Sequence, residues 1–146
     1  MSPKETVKAF IDAHNDHDIE KMMSYFADDC ITLDVASPIP LDSNADVVKL
    51  YEYIFAAMPD IHFEISSLIE EGNKAFAALR TTANGTGVFM GNDITGKRCD
   101  VFEGMYAEVV NGKIKLCKFY SDTATLSKQL GYKPALDMSA DTPTLM

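Results

Sequence analysis

The sequence predicts an α+β fold in which a curved antiparallel sheet wraps around N-terminal helices, and three observations carry that expectation. Before Pro59, apolar residues recur mainly at helical spacing. After it the period changes to two, with Ile61, Phe63 and Ile65 alternating with His62, Glu64 and Ser66. Turn signals at Glu71-Gly72-Asn73-Lys74 and Asn111-Gly112 then join the later strands as hairpins. Helices followed by hairpins form the α+β pattern. Gly85 and Gly87 loosen a long strand and predict a sheet bent into an open cone, whose mouth suits a small ligand.

The first helix opens with a capping box, since Ser2 is followed by Pro3 and, at N3, by Glu5. Val7, Phe10, Ile11 and His14 form its apolar face, and Asn15-Asp16-His17-Asp18 ends it. Asp18 caps a second short helix with Ile19, Met22, Met23 and Phe26 as its stripe. Cys30–Val35 reads as a short strand stopped by the Pro38 and Pro40 loop, and Asn44–Met58 as a third helix carrying Val47, Tyr51 and Phe55 inward. Strands are expected at Ala75–Phe89, Arg98–Val110 and Lys113–Ser121, with a loop at Gly91–Gly96. A final helix, Thr123–Leu130, ends at Gly131 as C-cap. One domain over residues 1–132 is expected, with 133–146 a mobile tail.

A net charge of −9 argues against a nucleic-acid partner, which needs clustered Lys and Arg, and favours a neutral ligand over a polyanion. Cys30, Cys99 and Cys117 are odd in number and widely spaced, so no disulfide framework is expected. Met1–Glu5 runs into the first helix without an apolar signal core, and no stretch is long enough to span a bilayer. A cytoplasmic protein without membrane contact is the expectation.

Several stretches resemble one family. His14-Asn15-Asp16-His17-Asp18 is similar to an Asn-x-x-Asp joint between two helices, Phe26-Ala27-Asp28-Asp29-Cys30 to an entry into a first strand, and Met58-Pro59-Asp60-Ile61-His62 to a Phe-Pro-Asp-aliphatic segment. Gly91-Asn92-Asp93-Ile94-Thr95-Gly96-Lys97, Asn111-Gly112-Lys113-Ile114, and Tyr120-Ser121-Asp122 with Gln129-Leu130-Gly131 match the remaining signatures in order. Together they resemble the SnoaL-like polyketide cyclases of the nuclear transport factor two-like superfamily. That resemblance implies a cone fold, a homodimer packed through the outer sheet face, and ring closure by an intramolecular aldol reaction without metal or cofactor. One position departs: where relatives carry a histidine in a Thr-His-x-Gly stretch, this chain has Gly85 in Asn84-Gly85-Thr86-Gly87.

The resemblance makes Asp122 the acid/base candidate, and a carboxylate at a strand end facing an apolar cavity would have the raised pKa that role needs. Capping of the helix that follows is the competing role. His14 is the second catalytic candidate, placed to hydrogen-bond a ligand carbonyl or an oxyanion. Candidate binding residues are Phe10, Tyr51, Arg80, Glu103 and Tyr120. Arg80 with Asp100 or Asp122 matches the carboxylate–arginine arrangement of related epoxide hydrolases, or else forms a structural ion pair. Glu103 shares strand parity with Val101 and Met105, so it is expected to face inward. His14 and His17 lack a third ligand, so no metal is expected. The expected ligand is a small hydrophobic or aromatic carbonyl compound, handled by a cyclase or isomerase. A carrier or sensor without catalysis, and a protein-interaction dimer module, are the alternatives from other classes.

Overall fold

Helix α1 (Pro3–Asn15) begins where the capping box predicts: the Ser2 hydroxyl accepts from the Glu5 N–H at 3.1 Å, and the Ser2 N–H donates to the Glu5 carboxylate at 3.1 Å. The computed structural model describes residues 1–35 and 41–133, so the expectations for the Pro38–Pro40 loop and for most of the tail lie outside the described residues. Asp18 caps α2 (Ile19–Ser24) by accepting from the Lys21 N–H at 3.1 Å. Between the two helices, the Asn15 side chain acts as a surrogate strand. Its Nδ2 donates to the Phe63 carbonyl at 2.9 Å and its Oδ1 accepts from the Phe63 N–H at 2.8 Å. That pair ties the end of α1 to the start of β2 (His62–Glu71).

Strand β1 (Phe26–Asp34) starts four residues earlier than its apolar run suggests. Phe26 is buried against Phe10 with ring centroids 5.4 Å apart, and packing extends the strand backward. Helix α3 (Asn44–Ala57) follows, capped by Ser43, and buries Val47, Tyr51 and Ala57. Strand β3 (Lys74–Asn84) stops short of the expected Phe89. At Gly85 the chain turns: the Gly85 N–H donates to the Lys97 carbonyl at 2.7 Å, and the Gly96 N–H to the Gly85 carbonyl at 3.0 Å. Two-residue strands β4 (Val88–Phe89) and β5 (Asn92–Asp93) then pair in a separate ribbon. Strands β6 (Arg98–Val110) and β7 (Lys113–Ser121) meet through the tight turn at Asn111-Gly112, where both residues have positive φ.

The main sheet has the order β1-β7-β6-β3-β2. Its pairs are antiparallel except at one edge, where β1 runs parallel to β7 with Thr32 opposite Cys117 and Asp34 opposite Phe119. The expected curved antiparallel sheet is thus present, with one parallel edge. The parallel neighbours lie far apart in the sequence, Phe26 facing Ile114, a pairing no local signal announces. In β3 and β6 the buried residues are odd-numbered, among them Ala75, Ala77, Leu79, Val101, Met105 and Ala107, except that Glu103 is half-buried and Gly104 is buried. The alanines let α1 lie close across β2, β3 and β6, where Val7, Phe10 and Ile11 fill the core. A second cluster, including Ala57, Ile61, Phe89, Ile94 and Leu130, closes the end of the sheet near the β4–β5 ribbon.

Helix α4 (Thr123–Leu130) explains why a Gln-Leu-Gly ending matters. Beyond Glu103, strand β6 has no β7 partner, because β7 ends at Ser121 opposite it. Gln129 takes over there: its Oε1 accepts from the Asp100 N–H at 2.7 Å and its Nε2 donates to the Asp100 carbonyl at 3.1 Å. Leu130 is fully buried, and Gly131 adopts the left-handed conformation that ends the helix, with φ of 80°. Among the described residues, no helix is long and apolar enough to cross a membrane.

Candidate active site

Inward-facing polar groups gather on one part of the sheet, beneath α1 and α3. Glu103, on the same face as Val101 and Met105, accepts a 2.5 Å hydrogen bond from the Ser121 hydroxyl on the facing strand. Burial holds the Glu103 carboxyl above the usual carboxylate range, and the charge of Asp34 adds to that, against the pull of the Ser121 and Thr81 hydroxyls. Thr81, buried on β3, stands near that carboxyl without completing a hydrogen bond: its Oγ1 has no partner. Asp34 ends β1 on the Thr32 face, opposite Phe119.

Tyr51 of α3 faces this patch from the helical layer. Burial first, then the neighbouring Cys117, Glu103 and Asp34, push its phenol well above 10, so it is a neutral hydroxyl. His14 lies beside it on α1, fully buried, with its ring stacked on Phe63 at 3.8 Å and the rings of Phe55 and Tyr51 at 5.3 and 5.9 Å. Burial lowers its pKa to about 4, the Asn15 side chain opposing and His17 and His62 assisting. It is therefore a neutral imidazole at physiological pH. Its Nδ1 contacts Asn15 Oδ1 at 3.2 Å, and its Nε2 has no partner.

Asp122 occupies a different environment from the one its acid/base role requires. It is exposed and caps α4, its Oδ1 accepting from the Thr125 N–H at 3.1 Å and its Oδ2 from the Thr125 hydroxyl at 2.7 Å. These two bonds hold its pKa below the ordinary aspartate value, the direction opposite to that expected of a general base at this position. Ser121, its neighbour, points inward instead, because successive strand residues face opposite sides.

The binding candidates divide between the two faces. Phe10, Tyr51 and Glu103 are inside. Phe10 sits 6.4 Å from both Tyr51 and Phe119. Arg80 and Tyr120 are corrected to the outer face: both are exposed and share the parity of Phe102 and Ala78, not that of Leu79 or Phe119. Arg80 makes a two-pronged ion pair with Asp100 at 2.8 and 2.5 Å, which is the structural role left open for it, and Asp122 takes no part in that pair. Strand parity, read from Leu79 and Phe119, also points to Thr81 and Ser121, which sequence reasoning passed over.

The departure at Gly85 has a steric cause. A Cβ there would lie 2.2 Å from the Ile94 carbonyl oxygen and 2.7 Å from its Cγ1, and Ile94 is fully buried. The volume a histidine side chain would need is filled by Ile94, so the polar groups of this chain are those around Glu103 and His14. Among the described residues, no group of three or more His, Cys, Asp or Glu side chains is arranged to hold a metal ion.

Known structures share this architecture. AclR from Streptomyces galilaeus superposes with a TM-score of 0.80 at 26% identity, over 90% of this chain and 97% of that one. IdmH from Streptomyces antibioticus gives 0.78 at 20%, over 90% and 99%. A SnoaL-like polyketide cyclase from Agrobacterium tumefaciens gives 0.73 at 19%, over 90% and 99%. No curated protein matches the sequence. The SnoaL-like polyketide cyclase family model matches residues 4–130, which is nearly all of the described chain, and with the cone fold beneath it the chain belongs to that family.

Proposed function

We propose that this protein is a cofactor-free enzyme that moves protons on a neutral small carbonyl compound, in a cyclisation or isomerisation, with Glu103 as the acid/base. The observation that supports it best is a carboxyl on the inner face whose pKa is raised by burial and a neighbouring carboxylate, and which Ser121 orients by a 2.5 Å hydrogen bond. A carboxyl whose pKa is raised can both remove a proton alpha to a carbonyl and return one to the developing alkoxide. Tyr51 supplies a neutral hydroxyl beside it, and Phe10 and Phe119 an apolar wall. Asp122 as the acid/base is the competing assignment. It would require the side chain to leave its cap.

A homodimer through the outer sheet face belongs to the same proposal. Phe102 is 73% exposed there, with Tyr120, Ile31 and Leu33 also exposed on that face, and a cluster of exposed apolar side chains of this kind marks an interaction surface.

The test is an NMR titration of the side-chain carboxyls. Glu103 is expected to titrate above the ordinary glutamate value and Asp122 below the ordinary aspartate value. The reverse order would return the acid/base role to Asp122. Once a substrate is in hand, Glu103→Gln should abolish turnover while binding persists, and Asp122→Asn should leave the rate nearly intact.

A further inference from the structure

The unpartnered nitrogen of His14 carries a specific chemical demand. Asn15 is locked by two hydrogen bonds to the Phe63 backbone, so the atom facing His14 Nδ1 is its carbonyl oxygen. Turning the amide over would set its NH2 against the Phe63 N–H. Asn15 Oδ1 can only accept, so His14 Nδ1 must carry the proton and donate. A neutral imidazole has one N–H. His14 Nε2 is consequently a bare lone pair, buried and without a donor. This reverses the expectation that His14 donates to a carbonyl or an oxyanion.

A second orphan atom lies on the same side. Thr81 is the cross-strand partner of Phe63, the ring on which His14 is stacked, and Thr81 Oγ1 is also buried and unpartnered. Both side chains thus neighbour Phe63, one with an obligatory acceptor at Nε2 and the other with a hydroxyl that completes no hydrogen bond, though the Glu103 carboxyl is also near it. Buried polar groups in native proteins are nearly always satisfied.

We infer that His14 Nε2 and Thr81 Oγ1 form a subsite for a hydroxyl group of the ligand, a phenol or enol, which donates to His14 and accepts from Thr81. A hydroxyl meets both demands, whereas a carbonyl oxygen would face the His14 lone pair with one of its own. The Phe63 ring below and Phe55 and Tyr51 beside it favour a flat, unsaturated skeleton carrying that hydroxyl. This rests on the reading of the inner face as the ligand site, while the assignment of Glu103 as acid/base stands or falls separately.

The test uses full-length protein and two probes that differ in one donor, 2-naphthol and 2-methoxynaphthalene. Nitrogen-detected NMR of the free protein should first show His14 as the Nδ1–H tautomer. The naphthol should then shift the His14 Nε2 resonance and bind about tenfold more tightly than its methyl ether. His14→Phe and Thr81→Val, checked for folding by circular dichroism, should each narrow that preference. An Nε2–H tautomer in the free protein overturns the inference. So do equal affinities, an unmoved Nε2 resonance, or failure of both probes to bind at millimolar concentration. The Glu103 titration is read on the unsubstituted protein, where none of these outcomes touches it, so the two proposals fail independently.

Discussion

Substituting His14 by Phe should flatten the acid limb of the protein's stability profile, and the size of the effect follows from its burial. His14 has an ordinary pKa of 6.5 when unfolded and about 4 when folded. Below pH 6.5 the unfolded chain therefore binds a proton that the folded chain refuses, and the folded state loses stability as pH falls through that window. One pKa unit corresponds to about 1.4 kcal/mol, so His14 alone removes about 3 kcal/mol between pH 7 and pH 4. That is a large share of the roughly 5–15 kcal/mol typical of a domain. Phe at position 14 keeps an aromatic ring against Phe63 and Tyr51 but has nothing to titrate. The assay is urea unfolding of both proteins at a series of pH values. The carboxylates that weaken any protein in acid are common to both and cancel in the difference. The difference should grow by about 3 kcal/mol, in favour of the variant, from pH 7 to pH 4. Parallel profiles, or a His14 ring that titrates near 6.5 in the folded protein, would show that it is not buried as a neutral base.

Glu103 gives the complementary case. Its folded pKa is raised, so the folded state loses stability as pH rises through the ordinary glutamate range and beyond. Glu103→Gln should then raise the thermal midpoint at pH 7 and leave it little changed in acid, measured by scanning calorimetry. A fall at pH 7 would mark Glu103 as structural. Gly85→Ala should destabilise by about 3 kcal/mol in denaturant unfolding. Adding Ile94→Ala should not restore it, because the nearest atom is the Ile94 backbone oxygen at 2.2 Å. Phe102→Glu, on the exposed outer face, should convert a dimer to a monomer in sedimentation without changing the circular dichroism spectrum. An unchanged sedimentation coefficient would reject the outer-face dimer.

What was legible in the sequence was whatever neighbouring residues decide. The Ser2–Glu5 box, the Asp18 cap, the Asn111-Gly112 turn and the Gly131 stop are all local chemistry, and each appears where its residues indicate. The inward direction of Glu103 followed from alternation along its strand. What stayed hidden depended on partners far away in the chain. The parallel edge joins β1 to the last strand, and the early end of β3 is imposed by Ile94 and Lys97 folding back on Gly85. Asp122 falls between these cases. Asp-Thr-Ala-Thr at a strand end is a visible cap, and the family likeness alone favoured the catalytic role over it.

The chemistry of His14 shows why a residue's type is a poor guide to its function without its neighbours. A histidine on an apolar helix face reads equally well as donor, acceptor or cation. Here Phe63, 49 residues away, decides among them through its backbone: that backbone fixes Asn15, and Asn15 fixes the proton on Nδ1. The same backbone pair fastens α1 to the sheet, so the tautomer and the helix–sheet joint cannot vary independently. Replacing Asn15 by Asp would leave the Phe63 carbonyl without its donor and place a negative charge beside Nδ1. A protonated His14 would then become favourable, the lone pair on Nε2 would be lost, and the subsite would switch from accepting a hydrogen bond to donating one. In Asn15→Asp protein, the preference between 2-naphthol and its methyl ether should therefore vanish or invert, and the His14 pKa should rise. A preference for the naphthol that survives this substitution would mean that the proton on Nδ1 is not what directs the ligand.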